Sequence, residues 1–149
     1  MLKRFHLVLC LMLSGLFPAS VAAQNDANFT LTVTVEDIAS DRGHIAFGIF
    51  DDAKGFLQEG KELQGERVQA EKGSVKLLVS LPPGRYAIAC YHDENDNMKL
   101  DTGLLGVPVE GFCFSNNPNL SVRPPSFDEA MFEVKENTET EIKLRYLMP

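Results

Sequence analysis

Alternation of apolar and polar side chains runs through the first half of the chain. In the segment Phe29–Ile38, positions 29, 31, 33 and 35 are apolar and threonines stand between them, which predicts a strand with one buried face. The segment His44–Phe50 follows a turn at Gly43, and the two segments together predict a hairpin. Residues 74–81 alternate in the same way before a Pro-Pro-Gly turn. The pattern therefore predicts three strands in this part of the chain.

The second half of the chain adds further strands. Residues 85–92 are apolar on both faces, as expected of a strand in the middle of a sheet. Residues 131–134 and 141–146 predict a last hairpin, whose second strand points three side chains inward. These are Ile142, Leu144 and Tyr146.

Two segments lack a clear strand pattern. Residues 55–65 fit either a short helical turn or an edge strand, and residues 114–126, which contain three prolines, predict an extended loop. Helical spacing is nearly absent elsewhere. About seven short strands predict an all-β fold, an antiparallel β-sandwich.

The first 23 residues have the pattern of an export signal. Basic residues at 3 and 4 precede an apolar run at 7–17, and small residues lead to Ala23. We expect residues 1–23 to be removed, residues 24–149 to form one β-sandwich domain, and the product to be periplasmic or secreted. The apolar run is shorter than the roughly 20 residues that cross a bilayer, so we expect no membrane insertion.

Charge restricts the classes of partner. Loss of Lys3 and Arg4 lowers the basic residues from 14 to 12 against 21 acidic residues, so the net charge moves from −7 to −9. Such a chain repels phosphate backbones and anionic lipid headgroups. We therefore expect no nucleic acid partner.

The stretch YHDENDNMKLD, residues 91–101, concentrates negative charge after an apolar run. Its oxygen-bearing groups occupy alternate positions, as the ligands of Ca²⁺ do in an EF-hand loop. The candidate ligands are Asp93, Asn95, Asn97, the Lys99 carbonyl and Asp101. Met98 replaces the usual turn glycine and Leu104 the usual bidentate Glu, so only weak binding of a structural Ca²⁺ is expected. The alternative is a turn in which Asn and Asp bond their own backbone.

Two cysteines, Cys90 and Cys113, remain after the export signal is removed. In an oxidising compartment they could form a disulfide that closes a 23-residue loop around the acidic stretch. The alternative is two small buried thiols that pack as apolar side chains.

The sequence contains no recognisable catalytic constellation. His44 and His92 are too few for a zinc site, and there is no G-x-S-x-G nucleophile motif. Phenylalanines at 112, 114 and 127 could form a ligand platform or fill the core. We therefore expect that the protein is not an enzyme.

Four segments carry the most distinctive sequence: LTVTVEDIASDRGHIAFGIFD, LPPGRYAIACYHDENDNMKLDTGLLGVPVEGFCFSNN, PPSFDEAMFEV and IKLRY. Together they resemble the bacterial family called domain of unknown function 2141. The resemblance implies an exported Gram-negative protein with a transthyretin-like or immunoglobulin-like sandwich and no assigned activity.

The acidic loop of that family usually reads H-D-E-N-G-N-G-K-L-D, so Asp96 and Met98 stand here in place of glycines. A methionine with positive φ costs about 1 kcal/mol.

Cys90 and Cys113 stand where the resemblance implies Val and Gly, so a disulfide would be peculiar to this chain.

The leading expectation is a non-enzymatic binding or scaffold module for an unknown protein, peptide or glycan. In this interpretation Ca²⁺ orders the acidic loop, and residues 114–126 form the contact surface. One alternative is a hydrolase, because transthyretin-like hydroxyisourate hydrolases exist, but they end in Tyr-Arg-Gly-Ser and this sequence ends KLRYLMP. Another is carbohydrate or peptide binding at an open sheet edge.

Overall fold

The computed structural model describes residues 28–119 and 123–147, so the predicted export signal lies outside the described residues. That part of the chain contains eight strands and a one-turn helix. The strands are β1 (Phe29–Ile38), β2 (His44–Phe50), β3 (Gln64–Gln69), β4 (Gly73–Leu81), β5 (Gly84–Asp93), β6 (Phe112–Phe114), β7 (Phe132–Val134) and β8 (Thr138–Lys143), and the helix is α1 (Phe127–Ala130).

The strands form two sheets. The small sheet has the order β4-β1-β8, and the large sheet has the order β3-β2-β5-β6 with β7 paired to the other end of β5. All described pairs are antiparallel except β1 with β8, which is parallel. Inward side chains of both sheets share one buried core, as in a β-sandwich. The predicted all-β, mostly antiparallel fold is confirmed.

The alternation seen in the sequence matches the buried faces. In β1 the side chains of Leu31, Val33 and Val35 are fully buried, and in β4 positions 75, 77, 79 and 81 are buried as well. Because successive strand residues point to opposite faces, one apolar residue in two is enough to supply the core. Ile142 and Leu144 are also buried, as predicted.

Both predicted hairpins are wrong, because each joins strands that lie in different sheets. The segment between β1 and β2 carries the chain from the small sheet to the large one, and Gly43 has the predicted positive φ, 66°. A register shift between Glu36 and Ile38, with Asp37 at φ 61°, interrupts the pairing of β1 with β4 just before this crossing, and Ile38 pairs with Gly73 beyond it. Likewise β7 pairs with β5, whereas β8 pairs with β1. The segment 55–65 contains turns and leads into the edge strand β3.

The outer face of the large sheet carries a second apolar cluster. Phe50, Ala87, Phe127 and Ala130 are buried there, and Phe56 and Phe114 pack against them. The helix α1 covers this cluster, and its first turn has a capping box between Ser126 and Glu129. The phenylalanines considered for a ligand platform therefore serve packing.

Cys90 and Cys113 form a disulfide between neighbouring strands. They face each other in the β5–β6 register with their Cα atoms 5.1 Å apart, and both are buried in the main core. The bridge closes the base of the long excursion between the two strands. Of the two alternatives for these cysteines, the disulfide is confirmed.

Candidate functional site: the acidic loop and the finger

The excursion between β5 and β6 contains all the predicted ligands. It has two parts, which we call the acidic loop (residues 93–101) and the finger (residues 102–109). The acidic loop begins at the last residue of β5, on the outer face of the large sheet. The finger projects beyond it and returns to Glu110.

The Asp93 carboxylate is fully buried, and it organises the first half of the acidic loop. Its Oδ2 atom accepts hydrogen bonds from the Arg67 guanidinium at 2.8 Å and from the Met98 backbone N–H at 2.9 Å. Its Oδ1 atom accepts from the Asn97 N–H at 3.0 Å. A buried carboxylate requires such partners, because burial without them is costly. Asp93 is therefore already paired with a cation from the protein.

Arg67, on the edge strand β3, also binds Asp96 at 3.0 Å, and Asp96 contacts the His44 ring. Arg67 was not predicted from the sequence as part of the site. No local pattern marks it, because Arg67 and Asp93 are 26 residues apart and meet only when β2 pairs with both β3 and β5.

Glu110 closes the other end of the acidic loop. Its carboxylate is buried, and it accepts hydrogen bonds from two backbone N–H groups, that of Glu94 at 3.1 Å and that of Asp101 at 2.9 Å. These two groups lie at opposite ends of the loop. One side chain thus holds the loop closed, which is a structural role.

Asp101 is the focus of the second half of the loop. Its Oδ2 atom accepts from the side-chain amides of Asn95 at 2.7 Å and Asn97 at 2.8 Å. These hydrogen bonds, first Asn95 and then Asn97, lower the pKa of Asp101 from its ordinary value of 3.8. The amide oxygens of Asn95 and Asn97 accept from the N–H groups of Asn97 and Lys99.

Met98 has φ 65° and Asp96 has φ 59°, so both positions where the family pattern has glycine are left-handed. The Met98 N–H bond to Asp93 is the local contact that stabilises this conformation. The side chain of Met98 is 71% exposed.

The structure brings four of the five predicted ligand residues together by their side chains, and Lys99 takes part through its backbone N–H. They form two halves: Asp93 is buried and bound to Arg67, whereas Asp101, Asn95 and Asn97 lie nearer the surface. In the described ranges no group of three or more His, Cys, Asp or Glu side chains is placed to hold a metal ion. A cation here would need oxygens from amide and backbone groups as well.

The finger is a short, hydrogen-bonded hairpin. Thr102 bridges to Pro108, the Gly103 N–H donates to the Val107 carbonyl at 2.8 Å, and the Val109 N–H donates to the Asp101 carbonyl at 3.0 Å. Its tip is a 3-10 turn, Leu104–Gly106. The two tip leucines, Leu104 and Leu105, are 86% and 96% exposed.

The finger was not predicted from the sequence as a candidate surface. The available signal was an apolar pair flanked by glycines, GLLG at 103–106, directly after the acidic loop. Leu105 has φ 63°, a conformation that costs a bulky residue about 1–2 kcal/mol.

His92 is fully buried at the end of the main core. Its Nε2 atom lies 2.8 Å from the Arg42 carbonyl, which can only accept, so Nε2 carries the proton. Its Nδ1 atom lies 2.8 Å from the Tyr146 hydroxyl, which donates to it and accepts from the Ala39 N–H. Both ring nitrogens are therefore engaged within the protein. Among the described residues, no buried side-chain polar atom lacks a partner.

These features define an all-β sandwich domain with a hydrogen-bonded acidic loop at one end. The model of the family described as "Uncharacterized protein conserved in bacteria (DUF2141)" matches residues 33–143, so the chain belongs to this family. The resemblance in the sequence is thus confirmed. Searches of curated proteins and of solved structures returned no match. No helix in the described part of the chain is long and apolar enough to cross a membrane.

Replacing Asp93 with Asn should destabilise the protein strongly. The change removes the charge that pairs with Arg67 and places an amide N–H among donors, so we expect the free energy of unfolding to fall by about 2–4 kcal/mol. The matched control is Asp96→Asn, which affects the same arginine at an exposed position and should cost less than about 1 kcal/mol. Urea denaturation measures both values. Equal losses for the two variants would contradict the role given to Asp93.

The pKa of Asp101 should respond to its two amide partners. Because its pKa in the folded state is lowered, the stability it contributes is present above the unfolded pKa and is lost as pH falls through the folded pKa. A carboxyl NMR titration in chelator should give a pKa below 3.8 in the wild type and a higher value in Asn95→Ala and in Asn97→Ala. Asn137→Ala, remote from the loop, is the control. If neither loop variant changes the pKa of Asp101, the hydrogen bonds from Asn95 and Asn97 do not set that pKa, and the proposed network is wrong.

Proposed function

We propose that this protein is a non-enzymatic binding module that acts in the periplasm or outside the cell after residues 1–23 are removed. Its contact site is the finger, and its partner is a protein with an apolar pocket. The observation that carries this proposal is the exposure of Leu104 and Leu105 at a hydrogen-bonded tip.

Single exposed leucines are common on protein surfaces, whereas a contiguous and fixed apolar patch usually marks an interaction site. The tip leucines share the excursion with two more exposed apolar side chains, Met98 and Val109. Burying two leucines in a partner would contribute about 3–6 kcal/mol before the costs of association. The finger is held at its base by Glu110, so little ordering is needed when it binds.

A protein partner suits this surface better than a glycan. Sugars are typically held by aromatic faces and polar side chains, while the finger tip presents aliphatic groups. The described part of segment 114–126, expected as the contact surface, is fastened to the domain. Ser115 is buried, and Asn117 binds the backbone of Glu141 and Lys143.

A hydrolase gains no support from the geometry. His92, the histidine within the loop-bearing strand, is buried with both ring nitrogens bonded to Tyr146 and Arg42. A general base needs a ring nitrogen within reach of a substrate proton.

Calcium is proposed as the ion that orders the acidic loop. The support is the alternate spacing of oxygen-bearing residues around Asp101 in one loop. Asn95 and Asn97 turn their amide N–H groups toward Asp101 and their oxygens toward backbone N–H groups, so binding of Ca²⁺ requires both amides to rotate. Arg67 already neutralises Asp93, and the bidentate Glu of an EF-hand is missing, so binding should be weak, with a dissociation constant of roughly 10⁻⁴–10⁻³ M.

Adding millimolar Ca²⁺ should raise the melting temperature of the full chain purified from an exporting host. The reason is that ligand binding to the folded state alone stabilises it. Asp101→Asn should remove the response, while Glu139→Gln, an exposed change on β8, should retain it. Calorimetry with Ca²⁺ and Mg²⁺ supplies the binding heats. Absence of both heat and melting shift, or an equal shift in Asp101→Asn, would exclude the calcium site and leave the finger proposal untouched.

The finger is tested with the double variant Leu104→Ser and Leu105→Asn. Asn tolerates positive φ better than Leu, so the fold should be as stable as the wild type or more stable by up to about 1 kcal/mol. A photo-crosslinker at position 104 in the exporting host should identify one partner, with a crosslinker at the exposed Leu63 as control.

Titration of that purified partner then gives the affinity, which the double variant should lower at least tenfold. Unchanged affinity in a folded double variant, or the same adducts from position 63, would refute the finger as the contact site.

A further inference from the structure

The small sheet ends in β4, a strand that has β1 as its only strand neighbour in the described part of the chain. Its outer edge presents unpaired backbone groups, which can pair with another strand. Proteins normally protect such edges with charges, short strands, bulges, proline or a covering segment.

The edges formed by β3, β8 and β6 carry such protection. The strand β3 (QGERVQ) has Glu66 and Arg67, and β8 (TETEIK) has two glutamates and a lysine in six residues. The strand β6 has only three residues, and Arg145 covers it by exchanging two backbone hydrogen bonds with Phe112.

The edge of β4 has little of this protection from the described residues. It is nine residues long (GSVKLLVSL) and contains no proline and one charge, Lys76. Its pairing with β1 is regular from Ser74 to Leu81, and the register shift lies only at the Gly73 end. Leu78 points outward and is 67% exposed.

We propose that β4 pairs antiparallel with β4 of a second copy of this chain, so that the two small sheets become one continuous sheet. The strand is self-complementary under a two-fold axis. Directly opposite residues of an antiparallel pair point to the same face of the sheet. A two-fold axis between two residues would oppose neighbours that point to different faces, so the axis must pass through a residue of β4.

Two registers centred near the middle of β4 keep the lysines apart and pair most of the strand. If the axis passes through Leu77, Lys76 faces Leu78 of the second copy, and Val75 faces Val79. If it passes through Leu78, Lys76 faces Ser80, and Leu77 faces Val79. An axis through Lys76 would oppose two like charges and is disfavoured. In both favoured registers the inward apolar residues continue the core from one copy to the other.

The second copy fits this edge better than an unrelated extended peptide, because β4 supplies both halves of the match: an inward apolar row and an outward row with one charge. Each copy carries a net charge of −7, or −9 without residues 1–23, so dimerisation should strengthen as salt screens the repulsion.

Sedimentation velocity of the full chain from an exporting host, over a wide concentration range, tests the proposal. We expect a monomer–dimer equilibrium that shifts toward dimer at higher salt. Leu78→Lys should weaken the dimer at least tenfold, while Leu63→Lys, the same change at another exposed leucine, should not. Circular dichroism checks that both variants are folded.

A second measurement holds even if Leu78→Lys fails to fold. With Cys90 and Cys113 already paired, the double variant Lys76→Cys and Leu78→Cys should give a disulfide-linked dimer under mild oxidation in either register, because the new thiol at position 78 then faces the new thiol at position 76 or 78 of the second copy. Leu63→Cys should give none. A wild type that stays monomeric at every concentration and salt, or a dimer that the finger double variant disrupts and Leu78→Lys does not, would overturn the proposal. The finger could still bind its partner in the first case, so the two proposals fail separately.

Discussion

The buried carboxylate of Asp93 is the interaction on which the acidic loop depends. It stands at the end of β5, where the chain leaves the large sheet, and one charged group meets Arg67 and two backbone N–H groups of the loop. A carboxylate with no exposed surface is tolerated only with such partners. It therefore determines the path of the chain through Met98 and links the loop to the edge strand β3.

Glu110 applies the same principle at the other end, since its buried carboxylate joins the backbone of Glu94 to that of Asp101. Part of the negative charge between β5 and β6 thus has a structural role, because Asp93 and Glu110 hold the acidic loop in place. Asp101 lies nearer the surface, and its carboxylate accepts hydrogen bonds from the side-chain amides of Asn95 and Asn97. The finger extends from this closed base, which explains how two leucines can stand at its tip in a defined conformation.

Strand positions and buried faces were predictable to a large extent. The alternation in β1 and β4 marked their inward residues, and the apolar character of β5 marked a strand covered on both sides. The connections were not predictable in the same way, since both predicted hairpins proved to be crossings between sheets. An alternating strand buries the same face whichever neighbour it pairs with, so local pattern carries no information on pairing. The ligand spacing correctly predicted that Asp93, Asn95, Asn97 and Asp101 lie in one loop. It could not show that the Asp93 carboxylate is already paired with the Arg67 guanidinium.

The sequence by itself determined the all-β class, the strand faces, the family and the position of the acidic loop, because these follow from the period of apolar residues and from neighbouring residues along the chain. Tertiary structure alone decided which strands share a sheet, that Cys90 meets Cys113, that Arg67 neutralises Asp93, and that β4 is left as an edge. Each of these joins segments far apart in the chain, and which segments meet depends on how all the apolar faces are buried together.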